Sequence, residues 1–433
     1  MEIVISVLIF TNLMLTYLFC LQVFYSLSYE KYLSVFLSLI FATTWMATNY
    51  TASLILGWNF AYLLSLMLLV YLAVLYKNNF IRKLKIVQDK RLLFLVWVAF
   101  MVFTIFTVRW GAWDAWSIWN LHAKFMYYPE IWTTMFVKEL SWSHADYPLL
   151  FPAAIAMFWR SMHGVYAFVP ASIALFTYLL ILITIYSRFK DHIKVGIGLL
   201  ILLMLDFNFV AICASQFADS LIACTYLIVM ILMVEKPKHY LLVAGIICSL
   251  ALSIKNEGYV LLLSLCLYTL LYEDDRLAKL KGIFMGAAPL FLMALFIKAT
   301  HAPSNDIMAG QSISTFDKLL DPYRYFHILR FSMETLFAKY YSFLIVVLIC
   351  VKNISKLSGE YRILFFSFVI YLGIYLITPR ELLWHMSTSM KRLFHHLYPA
   401  AIYIVVQSTD LTEVTERLSI KYLNLKQSIK SLL

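Results

Sequence analysis

Between Arg109 and Arg160 the chain reads VRWGAWDAWSIWNLHAKFMYYPEIW and then SWSHADYPLLFPAAIAMFWR. Seven of its eleven tryptophans fall there, interleaved with Asp114, His122, Lys124, Glu130, Lys138, Glu139, His144 and Asp146. These residue types can exchange protons and hold an anion. A carboxylate kept between aromatic walls, as Asp114 is between Trp113 and Trp116, is partly desolvated, and desolvation makes it a better base. Asp114 is therefore the first candidate for a catalytic proton acceptor. Asp146, in SHADYP, is the second, with a role as structural hydrogen-bonder beside it. Lys124 would lie about 15 Å beyond Asp114 along a helix, a distance that suits a phosphate contact better than an ion pair with that carboxylate.

Three later segments add complementary groups. Asp219 opens a span after the turn SQFADS, Lys255 and Glu257 share the turn IKNEG, and SMKRLFHHLYP carries Lys391, Arg392, His395 and His396. A guanidinium such as that of Arg392 matches two phosphate oxygens at once. Lys255 either pairs with Glu257 or joins the same anion site. Each candidate has a plainer alternative. Asp114 could cap a helix, Lys124 could snorkel to the interface, and Arg392 could be a boundary cation. Trp110, Trp113, Trp116 and Trp119, three residues apart, read first as an interfacial belt and second as a sugar platform. His122, His144, His395 and His396 have no metal-ligand spacing within one helix, so no zinc site is read.

Composition says what must position these groups. Of 433 residues, 63% are hydrophobic and 14% charged, with a mean hydropathy of +0.81, which excludes an ordinary soluble protein. Apolar runs near 20 residues recur along the whole length, and only helices fit them, because the alternation of barrel strands is missing. Spans are expected at about 3–28, 31–49, 52–76, 92–108, 165–187, 195–211, 217–234, 239–254, 257–272, 283–299, 339–352, 362–378 and 394–408, roughly thirteen in all. With no basic residue ahead of it, the first run reads as a retained helix and not a cleaved signal.

The net charge of +11 sits in short connectors at 77–91, 188–194, 235–240, 273–281 and 352–362 and in the tail. Placing these in the cytoplasm satisfies the positive-inside rule, so the charge is a topology signal and no nucleic-acid partner is expected. The segments 109–164, 301–339 and 378–399 then fall outside, with YPLLFPAAIAMFWRSMHG as a helix lying along or dipping into the interface. The six cysteines are scattered singly and read as core packing.

The order of these elements resembles the GT-C superfamily of polytopic glycosyltransferases, which includes protein O-mannosyltransferases and the lipid A aminoarabinose transferase. GAWDAWSIWNLHAKF resembles the first large extracytoplasmic loop of that superfamily, which carries a carboxylate soon after the first core span. HADYPLLFP resembles the acidic/proline element that opens the next helix, SQFADSLIA a later acidic element, IKNEGYVLLL a lysine–glycine turn, and SMKRLFHHLYPA a late Arg-plus-Pro element. The resemblance covers about 92–408. Three spans precede it in residues 1–91, and a cytoplasmic tail helix follows at 409–433.

The fold expected is thus an all-α polytopic membrane protein with a GT-C-like core and extracytoplasmic juxtamembrane helices. The resemblance implies transfer of a monosaccharide from a polyprenyl-phosphate donor to a hydroxyl of a glycan, glycolipid or protein acceptor, at the outer face of the plasma (inner) membrane. Asp114 and Asp146 are the catalytic candidates. Trp113, Trp116, Lys124, His144, Asp219, Lys255, Glu257, Arg392 and His395 are the binding candidates. No cofactor is required by the residues, and the family leaves a divalent metal open. The rival reading is a transporter or flippase, which should place charges near the bilayer midplane on broken helices.

Overall fold

Apolar runs without β-alternation satisfy their backbone groups only within helices, and the computed structural model is built that way. It describes residues 2–27, 29–78, 90–312, 314–350 and 357–409, and among these there is no strand. Most of the basic connector 77–91, part of the connector 352–362 and nearly all of the tail expected over 409–433 lie outside the described residues.

The chain opens with α1 (Glu2–Ser26), α2 (Lys31–Leu56), α3 (Phe60–Asn78) and α4 (Lys90–Phe106). Two short helices follow, α5 (Asn120–Tyr127) and α6 (Leu150–Ser161), then α7 (Phe168–Arg188), α8 (Ile193–Leu205), α9 (Phe207–Ala214) and α10 (Asp219–Glu235). Next come α11 (Tyr240–Ile254), α12 (Gly258–Tyr272), α13 (Arg276–Thr300), α14 (Asp306–Ala309) and α15 (Ser314–Leu320). The last elements are α16 (Pro322–Lys339), α17 (Tyr341–Cys350), α18 (Tyr361–Ile377) and α19 (Leu382–Gln407).

Four of the described helices, α1, α2, α7 and α13, are long and apolar enough to cross a membrane, and six if each of two bent pairs counts as one span. Shorter apolar helices, α3, α4, α11, α12 and α18, accompany them.

Several boundaries differ from the sequence expectation, each for a local reason. The break expected near residue 50 is absent. Asn49 and Thr51 return their side chains to the carbonyls of Trp45 and Ala47, and the helix runs on to the left-handed Gly57. The single span expected over 195–211 bends by 69° between α8 and α9, because the carboxylate of Asp206 caps a new helix at the Phe209 N–H. The span expected over 339–352 is α17, turned 86° from α16. Of residues 378–399, read as an outer segment running into the last span, those from Leu382 onward form one continuous helix with that span. Glu381 caps its start at Leu383 and Trp384, and Thr388 and Ser389 bond back to its carbonyls. Finally, α6 is no surface helix: all but two of its residues are buried, packed against α1, α2, α5 and α11.

The bundle centres on α10, whose residues from Ile222 to Met233 are all buried, between α11 and α19. Its flank is the crossing of α11 with α13, where two glycines let backbones touch. A Cβ on Gly245 would stand 2.1 Å from the Ile283 carbonyl oxygen, and one on Gly286 would stand 2.0 Å from that of Leu242. Small residues at such crossings are what bring helices together where lipid offers no hydrophobic drive.

Charge is sorted to the two ends of this bundle. At one end Arg188 pairs with Glu30 and Glu235, Lys236 with Glu273 and Glu360, and Lys279 with Glu273. Asp219 and Glu257 start α10 and α12 at the other end, where the candidate site lies.

Candidate functional site

The site is assembled where turns from distant parts of the sequence are pinned to each other. Gly111 adopts φ 76° and sits against the turn after α9, where a Cβ would come within 2.7 Å of the Ser215 carbonyl oxygen. The Ala112 N–H donates to that same oxygen at 3.1 Å, and the Gln216 amide donates to the Val108 carbonyl at 2.6 Å. This clasp sets Asp114 beside the start of α10. Immediately after Asp114 the backbone makes a π-helical turn over Ala115–Trp119, a deviation that often marks functional positions.

Six ionisable side chains then meet. The Arg392 guanidinium is ion-paired with Asp114 and stands 3.9 Å from Asp219 Oδ2. Lys255 Nζ reaches Asp219 Oδ1 at 2.9 Å and Glu257 Oε1 at 3.0 Å. The Nε2 of His396 lies 2.8 Å from Asp219 Oδ1. Arg392 also lies over the Phe217 ring, 5.3 Å from its centroid. Burial works against the charge on Lys255, but Asp219 and Glu257 outweigh it and raise its pKa. Burial likewise opposes ionisation of Glu257, and the Lys255 ammonium outweighs it, holding the carboxyl below its usual range. Lys255 and Glu257 therefore do pair, and Lys255 serves Asp219 as well. Two buried polar atoms in this cluster have no protein partner, the donor Nε of Arg392 and the acceptor Oε2 of Glu257. Such atoms are costly to leave dry and unpaired, so they mark where a ligand or water belongs.

Asp146 anchors a second, adjoining cluster. Its Oδ2 accepts from the Asn256 amide at 2.8 Å and the Asn305 amide at 2.6 Å, while Lys298 donates to Asn256 Oδ1 at 2.6 Å. Burial raises the pKa of Asp146, against the opposing pull of these hydrogen bonds and nearby cations. Asn256, between Lys255 and Glu257, joins the two clusters. So does Tyr147, which is stacked on Trp119 at 5.3 Å and on His144 at 5.4 Å, and on which Glu257, Arg392, Asp146 and Asp114 all act.

The other candidates lie further out. Lys124 is exposed on α5. Trp113 and Trp116 form an edge-to-face pair at 4.7 Å and are 65% and 43% exposed, so they form a rim beside Asp114 and do not enclose it. His144 stacks on Tyr147 at a left-handed backbone position, φ 54°. His122 is buried against Ser143, and burial, then His144, pulls it down to about 3, so it is neutral. His395 faces Ser220, 3.2 Å away, and the Phe209 ring. Its neighbour His396 takes the place expected of it. Among the described residues no three His, Cys, Asp or Glu side chains are grouped to hold a metal ion.

Asn256, Lys298, Asn305 and Tyr147 were not singled out from sequence, and His396 was noted beside Arg392 but not made a binding candidate. For His396 the signal was present: Arg392 and His396 are four apart and share a helix face, but only once 382–407 is recognised as one helix. No family model, curated protein or solved structure matches this chain.

Proposed function

We propose that this protein is a polytopic membrane glycosyltransferase of the GT-C kind, with an outward-facing site in the plasma (inner) membrane. In this reading it moves a monosaccharide from a polyprenyl-phosphate donor to an acceptor hydroxyl, with inversion. The observation that carries the reading is the meeting of Asp114 with Arg392, Lys255 and Asp219, beside the unpartnered Arg392 Nε and Glu257 Oε2. A carboxylate base, cations for a departing phosphate and an exposed aromatic rim occupy one end of an apolar bundle. The placement of α5 and α6 between α4 and α7 supports a GT-C-like core over 92–408, preceded by three helices. About thirteen spans would result if the five shorter apolar helices and also α10 and α19 cross.

The Arg392–Asp114 pair gives the mechanism its order. While Arg392 holds Asp114, that carboxylate is occupied. A donor phosphate offers the guanidinium two oxygens in place of the carboxylate, and Lys255 adds a second cation nearby. Asp114, once released, accepts the proton of the acceptor hydroxyl. The hydroxyl oxygen bonds to the anomeric carbon as the bond from that carbon to the phosphate oxygen breaks. The bonding pair leaves with the polyprenyl phosphate, which the cations stabilise. A single displacement of this kind inverts the anomeric centre. Acceptors compatible with the short outer loops are a glycan or glycolipid, with a protein as a further possibility to be assayed.

Transport of a lipid-linked or small polar substrate is the second reading, and one observation favours it. Two bent helix pairs, α8–α9 and α16–α17, meet at their breaks, where Ser342 and Tyr398 both hydrogen-bond Asp206 and Tyr341 donates to the Leu205 carbonyl at 2.9 Å. Broken helices around a buried carboxylate are a transporter device. Incubating purified protein with labelled polyprenyl-phosphate sugars and membrane extract separates the two. Labelled covalent product supports the transferase, whereas uptake or flipping into liposomes without such product supports the transporter.

A further inference from the structure

Two apolar cavities begin beside the charged cluster. The first, about 410 Å³, lies between the amino-terminal pair α1–α2 and helices α6, α7, α10 and α11. Its wall includes Leu221, two residues beyond Asp219, and Ile254, which adjoins Lys255. The second, about 330 Å³, lies between α16, α17, α18 and α19, and its wall includes Phe394, two residues beyond Arg392. No charged side chain lines either cavity, and the two share no helix.

Hydroxyls in these walls are engaged elsewhere. Thr177 and Thr225 donate to carbonyls of their own helices at 2.8 and 2.7 Å, Ser332 to the Ile328 carbonyl at 2.7 Å, and Tyr398 to Asp206 at 2.7 Å. What faces a ligand is hydrocarbon. Phe168 and Phe176 on the first cavity, and Met333 and Phe365 on the second, are half-exposed, so each cavity is open at the apolar surface of the bundle. Along α7 the first runs from Phe168 to Leu180, and along α19 the second runs from Phe394 to Val405, roughly 18 and 17 Å of helix. One leaflet of a ~30 Å hydrocarbon core is about 15 Å deep. Either cavity therefore has the length for one lipid chain whose head lies at the cluster.

Resting on the transferase reading, we infer that the acceptor is a glycolipid whose hydrocarbon chain lies in the α1–α2 cavity, while the donor's prenyl chain lies in the α16–α19 cavity. Arg392 is the cation that suits the donor phosphate, so the cavity that begins beside Arg392 is the donor's. In an inverting displacement the nucleophile arrives on the face opposite the leaving group. Helix α10 stands between α19 and α11, and the first cavity reaches the cluster from the α11 side. A chain held there brings its headgroup to the face away from the departing phosphate. The glycolipid hydroxyl oxygen bonds to the anomeric carbon and gives its proton to Asp114. The bond from that carbon to the phosphate oxygen breaks, and its electron pair leaves with the prenyl phosphate. A water-soluble glycan or a protein has no use for a second chain-length apolar cavity beside the cluster.

Photolabelling maps the occupants without needing turnover. The full chain in phosphatidylcholine nanodiscs is irradiated with a polyprenyl phosphate or a monoglucosyl diacylglycerol, each bearing a diazirine in its chain. Peptide mapping should place the glycolipid on α2, α6 and α7, and the prenyl probe on α18 and α19. A diazirine phosphatidylcholine should label the first cavity roughly tenfold less than the glycolipid does. Thr43→Trp, which fills the first cavity from a half-buried position on α2, should abolish glycolipid labelling there and leave prenyl labelling unchanged. Ser172→Trp, at the exposed mouth, stands in if Thr43→Trp does not fold. Ala401→Trp in the second cavity should do the reverse. In a transfer assay, label from the donor should enter the organic-soluble glycolipid fraction and not the delipidated residue. Equal labelling of the first cavity by phosphatidylcholine and glycolipid, both probes in one cavity, or transfer only into the delipidated residue overturns the inference and leaves the transferase reading in place. Both lipids in their cavities with no covalent transfer overturns the transferase reading, and the acceptor assignment with it.

Discussion

Arg392, near the middle of the last described helix, is ion-paired with Asp114, which lies 278 positions earlier, just beyond α4. Neither residue is free in the resting protein: the cation that should grip a phosphate grips the carboxylate that should take a proton. Their roles are separable by substitution. Asp114→Asn keeps the shape but removes the proton acceptor, so turnover should fall by roughly two to four orders of magnitude. Donor affinity should hold or improve slightly, since Arg392 loses its competitor. Measuring turnover and donor binding for the variant in nanodiscs checks both. Near-normal turnover would exclude Asp114 as the base and move that role to Asp146.

Arg392→Ala should instead weaken donor binding, because losing one partner of a charge-assisted phosphate contact costs about 1.5–3 kcal/mol, or about ten- to a hundred-fold in Kd. Arg392→Lys should recover only part, since an ammonium cannot offer the planar fork. A donor affinity unchanged in Arg392→Ala would remove Arg392 from the phosphate site.

Much of the site could be read from sequence because charged residues in a lipid-like chain are conspicuous. Asp114, Asp219, Lys255, Glu257 and Arg392 stand out against apolar surroundings, and all five come together. What could not be read was which face each occupies. His395 and His396 are adjacent on one helix, and only its packing against α10 shows that it is the His396 imidazole that reaches Asp219. The Asn256–Asp146–Asn305 contacts pair a carboxylate with amides 110 and 159 positions away, so no local pattern announces them. The bend at Asp206 was hidden for a related reason: hydropathy continues across it, and only the carboxylate that caps the new helix reveals the break.

Lys255 should matter more for stability than for donor binding. Its ammonium lies 2.9 Å from Asp219 and 3.0 Å from Glu257, so Lys255→Met takes a cation from both carboxylates and leaves Asp219 with His396 at 2.8 Å and Arg392 at 3.9 Å. Breaking a buried pair on one side typically costs about 3–5 kcal/mol. A large drop in thermal unfolding temperature in detergent is expected, with partial recovery in Lys255→Met/Asp219→Asn, where one stranded charge is neutralised. A single variant as stable as wild type would show that water already screens this cluster.

The α11–α13 crossing gives a prediction independent of function. With the Leu242 carbonyl oxygen only 2.0 Å from where a Cβ would sit, Gly286→Val must push the helices apart. Overpacking of this kind costs about 1–3 kcal/mol. Gly198, whose Cβ would meet nothing within 4 Å, is the matched control, and Gly198→Ala should leave the unfolding temperature unchanged. Equal behaviour of the two variants would mean that the close backbone approach is not present in the folded protein.

Asp146 supplies a pH dependence whose sign follows from its burial. Its carboxyl titrates near 3.8 when exposed, and burial raises that value in the folded protein. The folded state therefore binds this proton more tightly than the unfolded chain does. The resulting stabilisation is fully present below about 3.8 and is lost as pH rises through the folded value, so at neutral pH the ionised group is a net liability. Asp146→Asn removes that liability, and its amide oxygen can still accept from Asn256 and Asn305. The variant should unfold at a higher temperature than wild type at pH 7, by a few degrees, and the gap should close as the pH approaches about 4. The comparison cancels the titration of every other group, which both proteins share. A gap that stays constant with pH would assign the effect to packing. A variant less stable at pH 7 would mean that Lys298 and the two amides already hold Asp146 ionised at no cost, contrary to its burial.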